Sequence, residues 1–474
     1  MEAVLASAAI AALYTLELLA VAWVFARKRD AASAFSWALA IFFLPLLGLV
    51  LFVVFGRDRL PHRLKGKIRH SAAFQARMAA QVPRGEAPAD SRQGWQSLGR
   101  VAEQLGNMPV RGGNRVELLG DGEAAFNAIR ESVLAATHHV HVEEYIFRDD
   151  RKGRELLKLL CERARQGLQV RLLVDAIGTG ESRKLARQLV ASGGKAAVFL
   201  PLYPFGKAFT PNLRNHRKII ICDGRVGFLG GMNVGNEYFG LKYRNRYWCD
   251  WHMAIRGPAV RDLQSVFAED WDFAAGSMLG PEYFPDPETC GDSRVQIVYS
   301  GPDEAVNSAR AVFFAAITQA EKRLCISSPY FVPDQAMREA LRGAALRGVR
   351  VQVLTQGHPP EMLSTYYASR YYWEELMGAG VEVWEHMRRV LHAKALIADS
   401  RWAAIGSVNL DPRSLNLNFE VLGLLDSVPD AEAAQQHFEG MLQAAQRVDP
   451  EVFRRRGIAG RVAEGAFRLL SPLL

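Results

Sequence analysis

The sequence has few cysteines, and none of them forms a recognisable metal or disulfide pattern. They are odd in number and include no Cys-x-x-Cys pair: Cys161, Cys222, Cys249, Cys290 and Cys325. This spacing argues against a disulfide framework and against a structural zinc site. The chain therefore fits a reducing compartment.

Glycine-rich phosphate loops are also missing. The stretch Gly-Thr-Gly-Glu-Ser at 178–182 has neither the Gly-x-Gly-x-x-Gly spacing nor a following Gly-Lys-Ser or Gly-Lys-Thr, so we interpret it as an ordinary loop. His139, His141 and Glu143 alternate along an expected strand, but no further metal ligands accompany them. We expect neither a metal nor a cofactor.

Length and charge narrow the class of protein. A chain of 474 residues is long enough for two domains and additional segments. With 49% hydrophobic residues it is too apolar to be disordered, and its formal net charge of +8 is moderately basic. Acidic partners are expected, namely lipid headgroups, nucleic acid or phosphorylated metabolites.

Two long apolar segments open the chain. Ala3–Phe25 carries a single charge, on Glu17, and Phe35–Phe55 carries none. Each is long enough for a bilayer-spanning helix of about 20 residues, so the sequence predicts a transmembrane hairpin. A cleaved signal peptide fits less well, because no basic residue precedes the first segment. Alternatively both segments lie in the membrane interface, an arrangement that Pro45 suits equally.

Basic residues around these segments predict their orientation. The turn Arg27–Asp30 holds three basic residues and one acid, whereas Arg57–His70 holds six Lys or Arg and one Asp. The larger basic excess places the remainder of the chain on the cytoplasmic side. The basic turn argues weakly against this orientation.

Helix and strand patterns alternate through the rest of the chain and occur twice. A helix followed by a strand is expected in 128–147 and in 154–176, and the same order returns in 311–331 and 338–356. Gly167 and Gly348 occupy matching places, 181 residues apart. The alternation predicts an α/β fold with a helix-covered sheet, in two similar halves divided between about Gly276 and Val298.

Each half contains the pattern His-x-Lys-x4-Asp. The two copies lie 176 residues apart, and a Gly-Gly or Gly-Ser pair followed by x-Asn begins seven residues after each aspartate. A single copy is typical of a strand edge with a satisfied histidine, but chance explains two copies at domain spacing poorly. The polar and small members are His216, Lys218, Asp223, Gly231 and Asn233 in the first copy, and His392, Lys394, Asp399, Ser407 and Asn409 in the second.

The chemistry of this pattern favours a phosphate site. Alternate residues of a strand share a face, so the His and Lys of each copy are expected on one side. Two halves that bring imidazoles, ammonium groups and carboxamides to one seam can surround a phosphate, and small residues let backbone N–H groups approach it. Asp223-Gly224 and Asp399-Ser400 are typical of hairpin turns. Each aspartate is thus a candidate for a turn or orienting role as well as for catalysis.

The paired motif resembles the signature of the phospholipase D superfamily. Within it the chain is similar to membrane-anchored bacterial cardiolipin synthases in the segments FFLPLLGLVLFVVFGRD, NLRNHRKIIICDG, SSPYFVPD, NLDPRSLNLNFE and RLLSPLL. The resemblance covers roughly Val116 to the C-terminal region. It implies two phospholipase D-like β/α domains with helix-covered mixed sheets, packed pseudo-symmetrically. The chain then divides into a membrane hairpin (1–60), a connector (61–114), the two domains (115–285 and 286–450) and an amphipathic tail (451–474).

The resemblance also implies a mechanism that needs no metal. One histidine attacks phosphorus and forms a phosphohistidine, while the other protonates the leaving alcohol and then deprotonates the incoming one. We assign His216 as the nucleophile and His392 as the acid and base, although the near symmetry of the motifs leaves the reverse assignment open. The groups expected to bind the non-bridging oxygens are Lys218, Lys394, Asn233 and Asn409.

A carboxylate is expected to orient each imidazole. Glu420 follows the second motif and matches the family pattern, and Asp250 opens DWHMAI at the corresponding place in the first half. A surface or strand-capping role is the alternative for Asp250.

For a cardiolipin synthase, the resemblance implies transfer of a phosphatidyl group between two phosphatidylglycerol molecules with release of glycerol. Phosphodiester hydrolysis and nuclease activity at the same site are alternatives, and a membrane scaffold with a degenerate site is a further hypothesis. The expected partners are phosphatidylglycerol, other anionic phospholipids and the bilayer, without nucleic acid, and the oligomeric state is not indicated. The expected location is the bacterial inner membrane, multi-pass, with the catalytic part facing the cytoplasm.

Three further segments each have two interpretations. Leu200–Leu213 and Met362–Trp373 are rich in aromatic residues and either line an apolar approach to the site or pack in the core. Arg454–Leu474 mixes arginines with apolar residues at helical spacing. It either lies at the membrane interface or docks on the catalytic body.

Overall fold

The chain forms two compact units, Met1–Lys65 and Gly66–Leu474. The computed structural model describes residues 2–28, 31–52, 62–81, 96–177, 179–201, 212–241, 247–469 and 471. Parts of several sequence predictions lie outside these residues: the tip of the N-terminal turn, the basic flank before residue 62, Gly178, and most of the aromatic segment 200–213.

The N-terminal unit includes the helices α1 (Glu2–Arg27), α2 (Ala31–Phe43) and α3 (Pro45–Leu51). Pro45 divides the second apolar segment, because proline cannot continue α2 and takes the first position of α3 instead. Phe52 packs edge-on against Trp23 and Trp37, with ring centroids 5.3 and 5.5 Å apart. Within the described residues, no helix combines the length and the apolar character needed to cross a membrane.

The later helices begin with α4 (His62–Gln81) and include the covering helices of both halves. Two of them start at matching caps: Asp150 accepts the Gly153 amide at 2.9 Å, and Asp334 accepts the Met337 amide at 2.9 Å. The two helices with these caps are α7 (Arg151–Arg165) and α11 (Gln335–Leu346). The remaining helices after α4 are α5 (Gln96–Gln104), α6 (Gly122–Ala135), α8 (Thr179–Ala191), α9 (Ala259–Ala275), α10 (Ser308–Gln319), α12 (Leu363–Gly378), α13 (Pro412–Asn416), α14 (Val428–Leu442), α15 (Pro450–Arg454) and α16 (Ile458–Arg468).

The strands fall into two series with the same order along the chain. The first series is β1 (Arg111–Leu119), β2 (His139–Glu144), β3 (Gln169–Asp175), β4 (Lys195–Phe199), β5 (Arg214–Asn215), β6 (Ile219–Cys222), β7 (Val226–Gly230), β8 (Trp248–Cys249) and β9 (His252–Arg256). The second is β10 (Ser293–Ser300), β11 (Arg323–Ser327), β12 (Arg350–Gln356), β13 (Glu382–His386), β14 (Val390–Leu391), β15 (Ala395–Ala398), β16 (Trp402–Gly406), β17 (Asn418–Leu425) and β18 (Ala445–Arg447).

Sixteen of the described strands form one mixed sheet in which the two halves meet at β1 and β10. From edge to centre, the first half runs β4-β3-β2-β6-β7-β9-β1 and the second runs β13-β12-β11-β15-β16-β17-β10, with β18 outside β13. The prediction of a duplicated α/β fold with a mixed sheet is confirmed. The halves share one continuous sheet, however, because β1 and β10 pair antiparallel with each other. The predicted domain limits stay a prediction, and β1 begins at Arg111, ahead of the expected start at 115.

Two short strand pairs cross between the halves. The first half contributes β5, which pairs parallel with the start of β17, and the second contributes β14, which pairs parallel with β8. Because β5 and β14 directly precede the two His–Lys motifs, each motif is delivered next to a strand of the opposite half.

Candidate active site

The His–Lys motif of each half lies in an extended segment just ahead of a strand. The sequence analysis predicted that the strand runs through the motif, but β6 begins only at Ile219. The reason is that the preceding backbone bonds to the other half instead. His216 N donates to Phe419 O at 2.8 Å, and His392 N donates to Cys249 O at 2.7 Å.

Each imidazole contacts a carboxylate from the opposite half. His216 Nδ1 lies 3.1 and 3.0 Å from the two carboxylate oxygens of Glu420, and His392 Nδ1 lies 2.6 Å from Asp250 Oδ2. A contact at Nδ1 leaves Nε2 as the ring nitrogen available to a substrate. The structure thus brings these four predicted site residues together as two crossed pairs.

Both imidazoles are nearly enclosed, with His216 9% exposed and His392 4% exposed. Burial lowers the pKa of His216 to about 4, against the opposing effect of Glu420. Burial, together with the charges of Lys394 and Lys218, lowers the pKa of His392 well below its ordinary value. Both rings are therefore neutral near pH 7.

Two buried lysines accompany the imidazoles. Lys218 Nζ donates to the His216 carbonyl at 2.7 Å, and Lys394 Nζ lies 2.8 Å from His392 Nδ1 while donating to the His392 carbonyl. Burial lowers the pKa of Lys218 to about 7 and the pKa of Lys394 to about 8. Burial disfavours the charged form of an amine. An anion bound beside these lysines would favour the charged form again and so stabilise both ammonium groups.

Glu420 has two side-chain donors. Ser407 donates its hydroxyl to Glu420, and Asn418 Nδ2 donates at 3.1 Å. Burial alone would raise the pKa of Glu420, but its contacts with His216, Lys218 and Ser407 lower it below the ordinary value. Glu420 is therefore ionised beside a neutral His216.

Asp250 has a different environment. Its Oδ1 accepts from the Trp251 backbone amide at 2.8 Å. Gly231 stands where the second half has Ser407, and a Cβ on Gly231 would lie 2.3 Å from Asp250 Oδ1, so a serine does not fit there. Burial raises the pKa of Asp250 to about 7, although Lys394 opposes this shift. The two pairs thus differ in proton affinity despite their matching arrangement.

The two motif asparagines also differ. Asn233 is engaged within the protein, because its Nδ2 donates to the Tyr238 hydroxyl at 2.8 Å and its Oδ1 accepts the Ile146 amide at 3.3 Å. Asn409 Oδ1 is buried and has no hydrogen-bond partner within the described part of the chain. Because an amide oxygen accepts hydrogen bonds, Asn409 would bind a phosphate oxygen through Nδ2.

The motif aspartates lie at the far ends of their strands. Their carboxylates accept backbone amides, Asp223 from residues 137–139 and Asp399 from residues 321–323. Both adopt positive φ, 56° and 54°, in the β6–β7 and β15–β16 turns. Each aspartate lies seven positions after its histidine along extended chain, a distance of roughly 20 Å. We therefore correct the catalytic interpretation of Asp223 and Asp399: both fix hairpin turns.

Comparison with known proteins identifies the family. A family model described as "Cardiolipin synthase, PLD-like domain" matches residues 129–271 and 313–442, which include both motifs, and one described as "Phospholipase_D-nuclease N-terminal" matches residues 18–57. The cardiolipin synthase of Geobacillus sp. (strain WCH70) is 37% identical over 456 residues, 94% of this chain and 90% of that protein. The chain belongs to the cardiolipin synthase family.

Other relatives agree with this membership. The cardiolipin synthase of Halalkalibacterium halodurans is 36% identical over 459 residues, 95% of this chain and 91% of that protein. Among solved structures, the phosphatidylserine synthase of Haemophilus influenzae Rd KW20 is similar with a TM-score of 0.58 and 16% identity, over 80% of this chain and all of that one. At 16% identity, the similarity to this solved structure shows a common fold only. The resemblance to phospholipase D-type cardiolipin synthases, expected from the paired motif, is confirmed.

In this family member, three aromatic side chains that the sequence analysis did not single out flank the imidazoles. The Tyr145 ring centroid lies 5.0 Å from that of His216, and the rings of Tyr238 and Trp248 lie 5.3 and 5.1 Å from that of His392. Tyr145 follows the carboxyl end of β2, where ligand-facing residues of α/β sheets collect, and that position was an available signal. The sequence held no such signal for Tyr238 and Trp248.

Arg217 and Lys67 anchor the first motif from behind. Arg217 Nε donates to the Glu420 carbonyl at 3.1 Å, and its guanidinium pairs with Asp270. Lys67, which the sequence analysis placed in a connector, is buried and lies 3.3 Å from Asp270 and 3.1 Å from Glu269. Arg217, which follows His216 in the sequence, is thus held by a buried network of charges.

Proposed function

We propose that this protein is a cardiolipin synthase that transfers a phosphatidyl group from one phosphatidylglycerol to a hydroxyl of a second, releasing glycerol. Family membership supports the activity. One observation supports the chemistry: two imidazoles, each paired with a carboxylate of the opposite half, lie beside two buried lysines. The reaction is close to neutral in free energy, because one phosphodiester replaces another.

The difference between the two carboxylates supports the assignment of roles. An ionised Glu420 accepts the Nδ1–H of His216 and leaves the Nε2 lone pair free, which is the form of a nucleophile. Asp250, whose pKa burial raises to about 7, carries a proton for much of the time near neutral pH. A protonated Asp250 donates to His392 Nδ1 and leaves the ring proton on Nε2, which is the form of a general acid. We therefore keep His216 as the nucleophile and His392 as the acid.

In the first step, His216 Nε2 attacks the phosphorus of one phosphatidylglycerol. A P–N bond forms and the bond from phosphorus to the glycerol oxygen breaks. The leaving oxygen takes the Nε2 proton of His392, and the Asp250 proton moves to His392 Nδ1. Glycerol leaves, and the phosphatidyl group remains on His216.

The second step reverses the proton movements. A hydroxyl of the second phosphatidylglycerol gives its proton to His392 Nε2 and attacks the phosphorus. The new P–O bond forms, the P–N bond breaks, and Asp250 regains its proton from His392 Nδ1. Cardiolipin is released with both histidines in their starting forms.

Lysine ammonium groups stabilise the negative charge of the five-coordinate transition state. Lys218 and Lys394 supply this charge, and Asn409 would donate from Nδ2, each donor typically contributing about 10² to 10³ in rate. Asn233 acts by positioning Tyr238 beside His392. Of the two small residues expected beside the phosphate, Ser407 donates its hydroxyl to Glu420, and Gly231 lies next to Asp250.

Transfer requires that water be kept from the phosphohistidine, and the enclosure of both imidazoles supports this condition. The aromatic segment Met362–Trp373 has a mixed role. Most of it forms α12, in which Tyr366 and Trp373 pack in the core. Met362 and Leu363, at its start, are exposed. This part suits an apolar approach for acyl chains.

We place the protein in the bacterial inner membrane, with the N-terminal segments as a hairpin anchor and the catalytic part facing the cytoplasm. The apolar character of Ala3–Phe25 and Phe35–Phe55 and the basic flank after them support this placement. The match of residues 18–57 to an N-terminal family model supports a common role for this region. The domain limits 115–285 and 286–450 remain part of the proposal.

Incubation of the detergent-solubilised full-length protein with phosphatidylglycerol tests the function. We expect cardiolipin and glycerol in equal amounts. Phosphatidic acid as the sole lipid product would replace the synthase proposal with hydrolysis, and cleavage of nucleic acid without any lipid product would replace it with a nuclease. Phosphatidylethanolamine, offered together with phosphatidylglycerol, shows which headgroup the donor site accepts.

A further inference from the structure

One face of α16 docks on the catalytic body. The Phe467 ring stacks on Tyr367, with centroids 5.6 Å apart. Glu464 is buried and accepts from Arg370 at 3.1 Å and from Arg456 at 2.8 Å. These contacts fix the rotation of α16 about its axis, so the opposite face has a defined direction.

That opposite face carries an exposed apolar stripe. Ile458 is 82% exposed, Val462 is 65% exposed and Leu469, just after the helix, is 73% exposed. At about 100° per residue these three positions fall on one side of the helix. Soluble surfaces rarely expose large aliphatic side chains in such a row, and a row of this kind marks an interaction site.

Basic residues surround the stripe. Residues 450–469 contain five arginines and two glutamates. Both glutamates are already paired with arginine, Glu451 with Arg454 at 2.8 Å and Glu464 with Arg456 at 2.8 Å. The surface beside the stripe is therefore positive, which complements phosphate groups.

The stripe leads toward the catalytic residues. Arg456, ahead of α16, contacts Glu374 at 2.7 Å, whereas Arg468 at its end donates to the Tyr371 hydroxyl at 2.8 Å. Phe467, near the end of α16, contacts Tyr367, near the start of α12, so α16 and α12 run in opposite directions. The end of α16 therefore lies toward the start of α12.

The start of α12 is tied to the second motif. Gln356 Nε2 donates to the Leu391 carbonyl, directly before His392, at 3.2 Å, and Gln356 Oε1 accepts the Glu361 amide at 2.9 Å. The exposed residues Met362 and Leu363 follow Glu361 in sequence. Exposed apolar side chains thus stand at the end of α16 and at the start of α12, and hydrogen bonds through Gln356 connect the start of α12 to the segment that carries His392.

We propose that this surface, formed by Ile458, Val462 and Leu469 with Met362 and Leu363, docks on a bilayer that contains anionic phospholipid. The apolar side chains enter the acyl region and the arginines contact the phosphates, as in interfacial amphipathic helices. In the docked state, the approach to His392 faces the bilayer that supplies the lipid substrate. The benefit to catalysis rests on the proposed function, but the contact itself does not.

Lipid contact is measured on the full-length protein in phosphatidylcholine nanodiscs that contain phosphatidylglycerol. In a Cys290→Ser background, Val462→Cys carries a bimane label, and the label taken up by the background alone is subtracted. The matched control is Leu346→Cys, 72% exposed at the end of α11 and near the start of β12, opposite to the end that approaches His392. We expect phosphatidylglycerol with brominated acyl chains to quench the label at position 462 by about twofold or more. The label at position 346 should keep its emission.

Equal emission from both labels in brominated and ordinary lipid would overturn the proposal. Emission at position 462 that shifts with protein concentration, without quenching by the lipid, would assign the surface to a second copy of the chain and would also overturn it. Neither readout needs turnover. A protein that makes no cardiolipin but is quenched at position 462 would refute the proposed function and leave the docking surface intact.

Kinetics of the triple variant Ile458→Ser, Val462→Ser, Leu469→Ser give a second test. In mixed micelles we expect the KM for phosphatidylglycerol at the micelle surface to rise by about tenfold or more, with kcat retained. Leu346→Ser should change neither quantity. A loss of kcat without a change in KM would contradict a docking role.

Discussion

Ser407 donates its hydroxyl to Glu420, and the matching position in the first half is Gly231, which has no side chain to offer Asp250. Together with the Asn418 Nδ2 donor to Glu420, this difference distinguishes two similarly arranged His–carboxylate pairs. A carboxylate with a donor stays ionised, and a buried carboxylate with fewer donors holds its proton. In the proposed mechanism, the Gly-Gly and Gly-Ser pairs of the motifs thus favour His216 as the nucleophile.

Ser407→Ala should move the acid limb of the kcat/KM profile to higher pH. The contacts of Glu420 lower its pKa, so loss of the Ser407 hydroxyl raises it, and Glu420 is protonated at a higher pH than in the parent. A lost charge-assisted hydrogen bond corresponds to a shift of about one pH unit. The profile is measured with phosphatidylglycerol in mixed micelles.

The control for this substitution is Ser369→Ala. Ser369 is equally buried, but it bonds to Trp373 Nε1 at 2.9 Å within α12. Its removal should leave the position of the acid limb unchanged. Superimposable profiles for Ser407→Ala and the parent would show that Ser407 does not act on Glu420.

The roles of the two histidines should become distinguishable with a substrate whose leaving group needs no proton. With a 4-nitrophenyl phosphodiester, His392→Ala should release one burst of nitrophenol, because His216 can still form the covalent bond. His216→Ala should give no burst. With phosphatidylglycerol both variants should lose about 10² to 10⁴ of the rate or more.

A burst from His216→Ala and none from His392→Ala would reverse the assignment. Mass spectrometry of the quenched burst phase, under conditions that preserve phosphoramidates, shows which histidine carries the phosphoryl group. Lys158→Met, an exposed lysine on α7, serves as an unaffected reference.

The sequence alone was sufficient for the duplicated architecture and for most members of the site. Periodicity located β2, β3, β11 and β12, and the repeated spacing pointed to both histidines and both lysines. The family resemblance indicated Glu420, and alignment of the two halves indicated Asp250. The sequence could not reveal that His216 is held by Glu420 and His392 by Asp250, because those contacts depend on the crossed strands β5–β17 and β8–β14. Short strands of two residues carry no periodic signal.

The burial of Lys67 escaped prediction for a different reason. A lysine in a basic, polar stretch is typical of a solvated helix, and only the fold places Glu269, Asp270 and Asp303 around it. The motif aspartates show the opposite case. A turn was expected from Asp-Gly, and the amide contacts of Asp223 agree with that expectation.

The kcat/KM for phosphatidylglycerol should fall as pH rises from about 7 through about 8. Burial lowers the pKa of Lys218 to about 7 and the pKa of Lys394 to about 8, and Asp250, whose pKa burial raises to about 7, loses in the same range the proton that the acid step needs. Both lysines are charged below this range and lose their protons within it, so the free enzyme loses its attraction for phosphate. The alkaline limb of the kcat profile should lie at higher pH than that of kcat/KM, because a bound phosphate stabilises the ammonium forms of both lysines. On the acid side, the pKa of His216 near 4 should leave the nucleophile neutral down to about that pH.

Steady-state kinetics over this pH range check the expectation. A kcat/KM that stays constant or rises from pH 7 through 8 would contradict charged lysines as the phosphate-binding groups. The reference is Lys158→Met, which removes a lysine that is 79% exposed and should leave the profile unchanged.

Lys67→Met should destabilise the catalytic body. Lys67 Nζ lies 3.1 Å from Glu269, 3.3 Å from Asp270 and 3.3 Å from Asp303, and these carboxylates raise its pKa despite full burial. Methionine fills similar space but leaves the acids without their cation. Breaking a buried charge pair from one side costs about 3 to 5 kcal/mol in the free energy of unfolding. Denaturation in detergent, followed by tryptophan fluorescence, measures the loss.

Arg77→Met on the same helix is the matched control. Arg77 is 51% exposed and pairs with Asp272 at 3.3 Å, so its replacement should cost about 0 to 1 kcal/mol. The difference between the two variants separates the effect of burial from the loss of a cation on α4. Equal unfolding free energies for the two variants would show that Lys67 does not stabilise the acids around Arg217. In that case, the position of His216 would depend on the bond from Arg217 to the Glu420 carbonyl, with no contribution from α4.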